Sequence, residues 1–386
     1  MKFLRSISLI LFFSVLMMSV PLFDTDVCAL SGNDLKAPSA VLMDSSTGQV
    51  LFEKDAHSVR PCASITKVMT LILVMEAIDS GRLKYDDVIT ASAHASSMGG
   101  SDIWLEPGET MTVDDMIKAT IVASANDAAV ALAEAVSGTE EEFVRQMNEK
   151  AKKLGMKETV FKNCNGLDED GHVTSAYDVA LMSRELIKHK KILDYSGIWM
   201  DELRGGKTQL VNTNKLLKTY KGITGLKTGT TSQAGSCITA TAQREGLHLI
   251  AVVLGCSTGK ERFSDASKLL DSGFADYMMF VPKIPDETSV SIPVKNGMTD
   301  SVDTVTGKVS SMLLKKGSDS SVKSKVYLPA ETEAPVRKGD VLGKLIYESG
   351  GKQIAEYPIT AAEDVKEINF GDVAGMFFSS LAGSSI

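Results

Sequence analysis

Three groups of side chains have the types and spacing that acyl-transfer chemistry requires. The first is Ser64 and Lys67, in "RPCASITKVMTLILVMEAID" from Arg60 to Asp79. Three residues apart on a helix, they share one face and lie within side-chain reach. From Ile65 onward the stretch is apolar on nearly every side, with Val68, Met69, Leu71, Ile72, Leu73, Val74, Met75, Ala77 and Ile78. A helix hydrophobic all round is normally a buried one, and an unpaired ammonium buried there is costly enough to lose its proton. A serine is a poor nucleophile until a base takes its proton. A lysine is such a base only if its pKa, ~10.4 in water, is pulled towards neutrality, and burial can bring it down to about 5–6. A helix N-terminus also disfavours the ammonium and supplies N–H donors for an oxyanion. The spacing alone is a weak signal, since Ser320 and Lys323 match it within a polar stretch.

The second group is Ser124 and Asn126 in "VASANDAAVAL", two polar side chains interrupting an apolar run. One reading is a helix boundary whose side chains bond to local backbone. The other places them opposite the nucleophile, passing a proton and holding a substrate amide. Ser31-Gly32-Asn33 has the same pattern, so this signal is also weak alone. The third group is Lys227-Thr228-Gly229 in "ITGLKTGTTSQAG", a triplet that occurs once. It falls on or beside an edge strand, where Gly229 would leave room for a ligand backbone. Lys227 and the hydroxyls of Thr228 and Thr230 would offer charge and donors to a carboxylate. The bland alternative is a turn carrying an ordinary surface lysine. The three groups in this order support one another more than any supports itself.

These groups need a scaffold. Residues 40–54 read as a hairpin around Ser45-Ser46-Thr47-Gly48. Residues 112–136 read as a helix with Asp114 and Asp115 in its first turn, and helical patterns recur at 140–154 and 176–190. "GSCITATAQREGLHLIAVVLG" gives two strands around Arg244-Glu245-Gly246, and a helix over about 260–280 closes the unit. Strands at both ends with helices between predict an α+β domain, an antiparallel sheet carrying a helical lobe. From about 285 to 368 short alternating stretches and turns predict a small all-β domain. The last residues place Phe370, Val373, Phe377 and Leu381 at helical spacing, in an amphipathic tail too short to span a bilayer.

The chain has 386 residues, enough for two domains, and a net charge of −8 with no long basic run, which argues against a nucleic-acid partner. Lys2 and Arg5 precede an apolar run from Ile7 to Phe23, and Val27-Cys28-Ala29 offers small residues at the cut. This reads as a signal peptide over 1–29 and hence an exported protein. An uncleaved anchor is the alternative, the run being close to the ~17-residue limit for a span. Cys62, Cys164, Cys237 and Cys256 fit no zinc pattern and are expected as buried free thiols. His57, His94, His172, His189 and His248 are scattered, which argues against a catalytic metal, and nothing suggests a cofactor.

"PCASITKVMT", "VASANDAAVALAE", "FKNCNGLDEDGHVTSAYDVA" and "GLKTGTTSQAG" closely resemble the serine D-alanyl-D-alanine carboxypeptidases, the low-molecular-mass penicillin-binding proteins, whose motif set is Ser-x-x-Lys, a Ser-x-Asn-like pair and Lys-Thr-Gly. The resemblance implies a β-lactamase/transpeptidase-like catalytic domain over 30–282, the family's all-β C-terminal domain over 283–368, and a tail at 369–386 similar to its membrane anchor. It implies that Ser64 attacks the bond between the terminal D-alanines of a peptidoglycan stem peptide, with Lys67 as base. Ser124 would relay a proton to the leaving D-alanine, and Asn126 would orient Lys67 and substrate. Lys227, Thr228, Gly229 and Thr230 would receive the terminal carboxylate, and the N–H groups of Ser64 and Thr230 would form the oxyanion hole. Penicillins would acylate Ser64 and stay, outside the cytoplasmic membrane.

Three positions depart from the family pattern. An alignment of "EGLHLIAVVLG" puts His248 where members carry a carboxylate-binding arginine, which would make that binding titrate near pH ~6–7; a histidine merely packed on a strand is the alternative. Asn165 stands where a histidine is common, and no Lys or Arg follows Lys366 in the tail. A β-lactamase is the nearest competing reading, but the usual Glu-x-x-Leu-Asn is missing between Ser124 and Lys227. A D,D-endopeptidase would share every motif. A non-catalytic peptidoglycan-binding protein would be expected to have lost one.

Overall fold

The computed structural model describes residues 30–383, so the signal-peptide reading at 1–29 lies outside the described residues. A five-stranded antiparallel sheet organises the larger unit. Its strands are β1 (Ser39–Asp44), β2 (Val50–Lys54), β3 (Ile223–Thr231), β4 (Gly235–Arg244) and β5 (Leu247–Cys256), in the spatial order β2-β1-β5-β4-β3. The first hairpin and the last three strands thus meet in the middle, and the chain between them forms the helical lobe.

Both faces of this sheet are covered, which explains why β1 and β5 are near-continuous apolar runs rather than alternating ones. In β1, Val41 and Met43 face the helical lobe while Ala40 and Leu42 face the C-terminal helix of the unit. In β5, Ile250, Val252 and Leu254 divide from Leu249, Ala251 and Val253 in the same way. The lobe is built on α1 (Lys67–Asp79), with α2 (Asn126–Ser137), α3 (Glu140–Leu154) and α4 (Ala176–Leu186); the other face is closed by α5 (Gly259–Asp276). Every residue of α1 from Lys67 to Met75 is buried, as an all-round apolar helix requires.

The expected antiparallel sheet, helical lobe and following all-β unit are all present. Three local expectations change. The single helix expected over 112–136 is broken into Val113–Lys118, a π turn at Ala119–Ala123, and α2. Ser64 belongs to a 3₁₀ turn, Ala63–Thr66, that precedes α1. The closing helix stops at Asp276, and Tyr277–Phe280 becomes a strand paired with Met312–Lys315. That pairing forms a separate two-stranded sheet between the catalytic unit and the C-terminal region, where the Tyr347 hydroxyl of the six-stranded sheet donates to the Lys283 carbonyl at 2.8 Å.

No helix among the described residues is long and apolar enough to cross a membrane. All four cysteines of the described chain are buried free thiols. The two decoy motifs have ordinary surroundings: Ser31 caps a 3₁₀ turn, and Ser320 lies in an exposed one.

Ile72, fully buried at the centre of α1, tests how far the lobe depends on this helix. Ile72→Ala is expected to cost about 2–5 kcal/mol, read as a lower denaturant midpoint for the catalytic unit. An unchanged midpoint would mean that α1 is not the lobe's packing centre.

Candidate active site

The three motifs converge. Ser64 sits half-buried in its 3₁₀ turn, which is wedged between the edge strand β3 and the loop from Val160 to Thr174. Two glycines allow that wedge. A Cβ on Gly229 would lie 2.7 Å from the Cys62 carbonyl oxygen and 2.9 Å from the Ser64 nitrogen. On Gly166, at φ +87°, it would lie 2.0 Å from the Ala63 oxygen. The room expected at Gly229 for a ligand backbone is therefore taken by the Ser64 turn itself.

Lys67 Nζ has three polar neighbours: Ser64 Oγ at 3.0 Å, Asn126 Oδ1 at 2.5 Å and the Asn165 carbonyl oxygen at 2.6 Å. Two of these can only accept. A neutral amine has two N–H groups and one lone pair, so it donates to Asn126 and Asn165 and presents its lone pair to the Ser64 hydroxyl. The charge state agrees with this geometry. Complete burial brings the lysine down to about 7, and the negative charges of Asp102 and Asp127 only partly oppose the shift. Asn126 cannot turn away, because its Nδ2 donates to the Gly99 carbonyl at 2.6 Å. Asn165 contributes through its backbone; its side-chain oxygen accepts from the Leu167 amide instead.

The π turn explains Ser124. It delivers the chain to a left-handed residue, Ser124 at φ +65°, before α2 starts at Asn126. That conformation is uncommon outside glycine, and it separates two side chains that a continuous helix would have placed differently. The result sends Asn126 to Lys67 and Ser124 to Lys227, whose Nζ donates to Ser124 Oγ at 2.8 Å and to the Thr228 carbonyl at 2.9 Å. Lys227 is also fully buried, and its pKa falls well below the ordinary value through desolvation first, then repulsion from Lys67 and Arg262. The Thr228 hydroxyl donates to Thr213 Oγ1 at 2.7 Å, while Thr230 is exposed beside the turn.

His248 is not part of this group. It lies at the other end of the sheet, paired with Gln243 at the start of β5, with Nε2 3.1 Å from Thr224 Oγ1. Burial lowers its pKa, in keeping with a packed histidine. The arginine at the site comes from α5. One Arg262 guanidinium nitrogen donates to the Gly229 carbonyl and to Thr230 Oγ1, both at 2.8 Å, and to the Cys237 carbonyl at 3.2 Å. Its Nε is buried without a partner among the described residues. Sequence reasoning missed it because it sought the arginine on β5, whereas Arg262 lies on α5, which follows that strand. The available signal was the capping box Thr258-x-x-Glu261, which fixes where α5 begins and so where Arg262 projects.

Residues 26–258 match the family model described as D-alanyl-D-alanine carboxypeptidase, and residues 283–367 match that of the penicillin-binding protein 5 C-terminal domain. The chain belongs to the D-alanyl-D-alanine carboxypeptidase family. It is 45% identical to the D-alanyl-D-alanine carboxypeptidase DacF of Bacillus subtilis over 87% of each chain. Among solved structures, penicillin-binding protein 5 of Haemophilus influenzae matches with a TM-score of 0.72 at 31% identity, over 88% of this chain and all of that one. Penicillin-binding protein D2 of Listeria monocytogenes, in its ampicillin-bound form, matches with a TM-score of 0.55 at 36% identity, over 62% of this chain and 98% of that one. The protein is thus a serine-type peptidase of this carboxypeptidase family, acting in the cell wall.

The pH dependence follows from Lys67. Its proton must be off for the amine to accept that of Ser64, and its pKa is about 7. The single-turnover acylation rate is therefore expected to fall about tenfold between pH ~6 and ~5 and to level off above pH ~8. A rate flat across that range would remove Lys67 as the base.

Proposed function

We propose that Ser64 is the nucleophile that removes the terminal D-alanine from peptidoglycan stem pentapeptides. The observation that carries this reading is the donor arithmetic at Lys67: two carbonyl acceptors and one hydroxyl around a buried amine with a pKa of about 7. Neutral Lys67 takes the Ser64 proton as Oγ bonds to the carbonyl carbon between the two D-alanines. The oxyanion then formed is held by the N–H groups of Ser64 and Thr230, where losing one donor typically costs ~2.7–4 kcal/mol. As the C–N bond breaks, the proton passes through Ser124 to the departing amine, and water later hydrolyses the ester.

Lys227, Thr230 and Arg262 receive the terminal carboxylate, with Thr228 holding the strand beside them through Thr213. Burial lowers the Lys227 pKa well below its ordinary value, and a bound carboxylate opposes that shift by favouring the ammonium form. His248 has no part in this scheme. Asn126 holds Lys67 and offers its side chain to the substrate amide. β-Lactams acylate Ser64 in the substrate's place, as the ampicillin-bound relative suggests. Residues 30–282 carry the chemistry, and 283–368 form the all-β domain that follows. Export through the segment 1–29 would put the enzyme on the outer side of the cytoplasmic membrane.

Intact-mass measurement after brief penicillin exposure tests the core of this reading. Wild type is expected to gain one penicillin mass that persists for hours, Ser64→Ala none, and wild type is expected to release D-alanine from a pentapeptide. Penicillin consumed without an adduct would favour a β-lactamase; cleavage confined to cross-linked dimers would favour an endopeptidase.

The helix Phe370–Gly383 exposes Phe370 and Val373, and we extend the proposal to a membrane-surface role for it. Full-length protein is expected to partition with membranes more than a 1–368 form; equal partitioning would overturn this.

A further inference from the structure

Ser64 occupies a strained turn: Ala63, just before it, has φ +52°. A non-glycine residue holds that conformation only when its surroundings impose it. Here a chain of three hydrogen bonds does so, and its directions follow from the Lys162 amide at one end. His172 Nδ1 lies 3.1 Å from the Lys162 amide nitrogen, which can only donate, so Nδ1 is the unprotonated nitrogen. Burial of His172 lowers its pKa to about 4, so the ring is neutral and its proton is on Nε2. Nε2 therefore donates to Thr66 Oγ1 at 2.7 Å, and the Thr66 hydroxyl donates in turn to the Ala63 carbonyl at 2.9 Å.

The geometry points to His172 as a positioning residue for the oxyanion hole. The Ala63–Ser64 peptide is trans, so its C=O and N–H point in opposite directions. Holding the Ala63 oxygen through Thr66 aims the Ser64 N–H away from the protein interior, past Gly229, towards the substrate carbonyl. Neither His172 nor Thr66 contacts the Lys67 amine, so this device is separate from the base. The inference rests on the proposed role of Ser64 and its N–H.

The test compares His172→Leu with His172→Gln, whose amide offers both a donor and an acceptor, and Thr66→Val with Thr66→Ser. Each apolar replacement also changes local packing, so the paired conservative variant serves as its control. Complete loss of one oxyanion donor costs roughly 10²–10³ in kcat, so a misaimed one is expected to cost at least about tenfold. His172→Leu and Thr66→Val should lose that factor in kcat and in penicillin acylation rate, with KM and the midpoint near pH 7 unchanged. His172→Gln and Thr66→Ser should recover to within about threefold of wild type. Unchanged kcat in a folded His172→Leu protein, or equal losses in His172→Leu and His172→Gln, would overturn the proposal. If His172→Leu does not fold, the Thr66 pair decides alone. Failure of wild type to be acylated would instead overturn the reading of Ser64.

Discussion

The site depends on one buried amine. Lys67 heads a helix with no polar face, so water cannot solvate its ammonium, and the protein offers neutral dipoles rather than a carboxylate in contact with it. A direct carboxylate partner would restore the charge and abolish basicity. Asp127 illustrates the arrangement. It lies next to Asn126 in sequence, but its carboxylate is occupied by the amides of Ile103, Leu105 and Ala128 and acts on Lys67 only through space. Desolvation outweighs that attraction, which leaves the amine near neutrality.

Keeping Lys67 neutral requires its three neighbours to arrive from separate parts of the chain. Ser64 comes from the turn before α1, Asn126 from the start of α2, and the Asn165 carbonyl from the loop that runs under the turn. That loop is secured repeatedly: Arg60 and Thr174 pair, Thr70 donates to the Cys164 carbonyl at 2.5 Å, and Gly166 packs against Ala63. The sheet supplies the opposite wall, because β3 is an edge strand whose outer side is covered by the nucleophile turn instead of another strand. An exposed edge would be a liability for aggregation; here it becomes the floor on which the turn rests.

The two lysines also divide the work. Both are buried and both have lowered pKa values, yet their partners differ. Lys67 is surrounded by two carbonyl acceptors and the Ser64 hydroxyl. Lys227 has Ser124 and a carbonyl, with Arg262 nearby as a second cation, so an arriving anion gains from both. In the proposed mechanism the first lysine is the base and the second meets the incoming carboxylate.

Much of this was legible in the sequence. The all-round apolar run after Ile65 requires a buried helix, and a lysine at its start must be neutral; both follow from composition and local period alone. The two-domain division of fold types and the placement of Lys227 near a sheet edge followed from strand patterns. What the sequence could not decide was which backbone groups meet across the fold. The π turn that leads into the left-handed Ser124 leaves no period to detect, since apolar residues continue through it. His248 could not be placed from sequence, because strand register decides which end of a strand faces the site, and register is a property of pairing; Arg262 was missed because it lies on α5, beyond that strand. Asn165 acts through a carbonyl that any residue carries, and His172 through a tautomer set by the Lys162 amide. The contacts of Lys67 with Asn126 and of Thr66 with His172 join residues 59 and 106 positions apart, and only tertiary packing brings such distant groups within hydrogen-bond range.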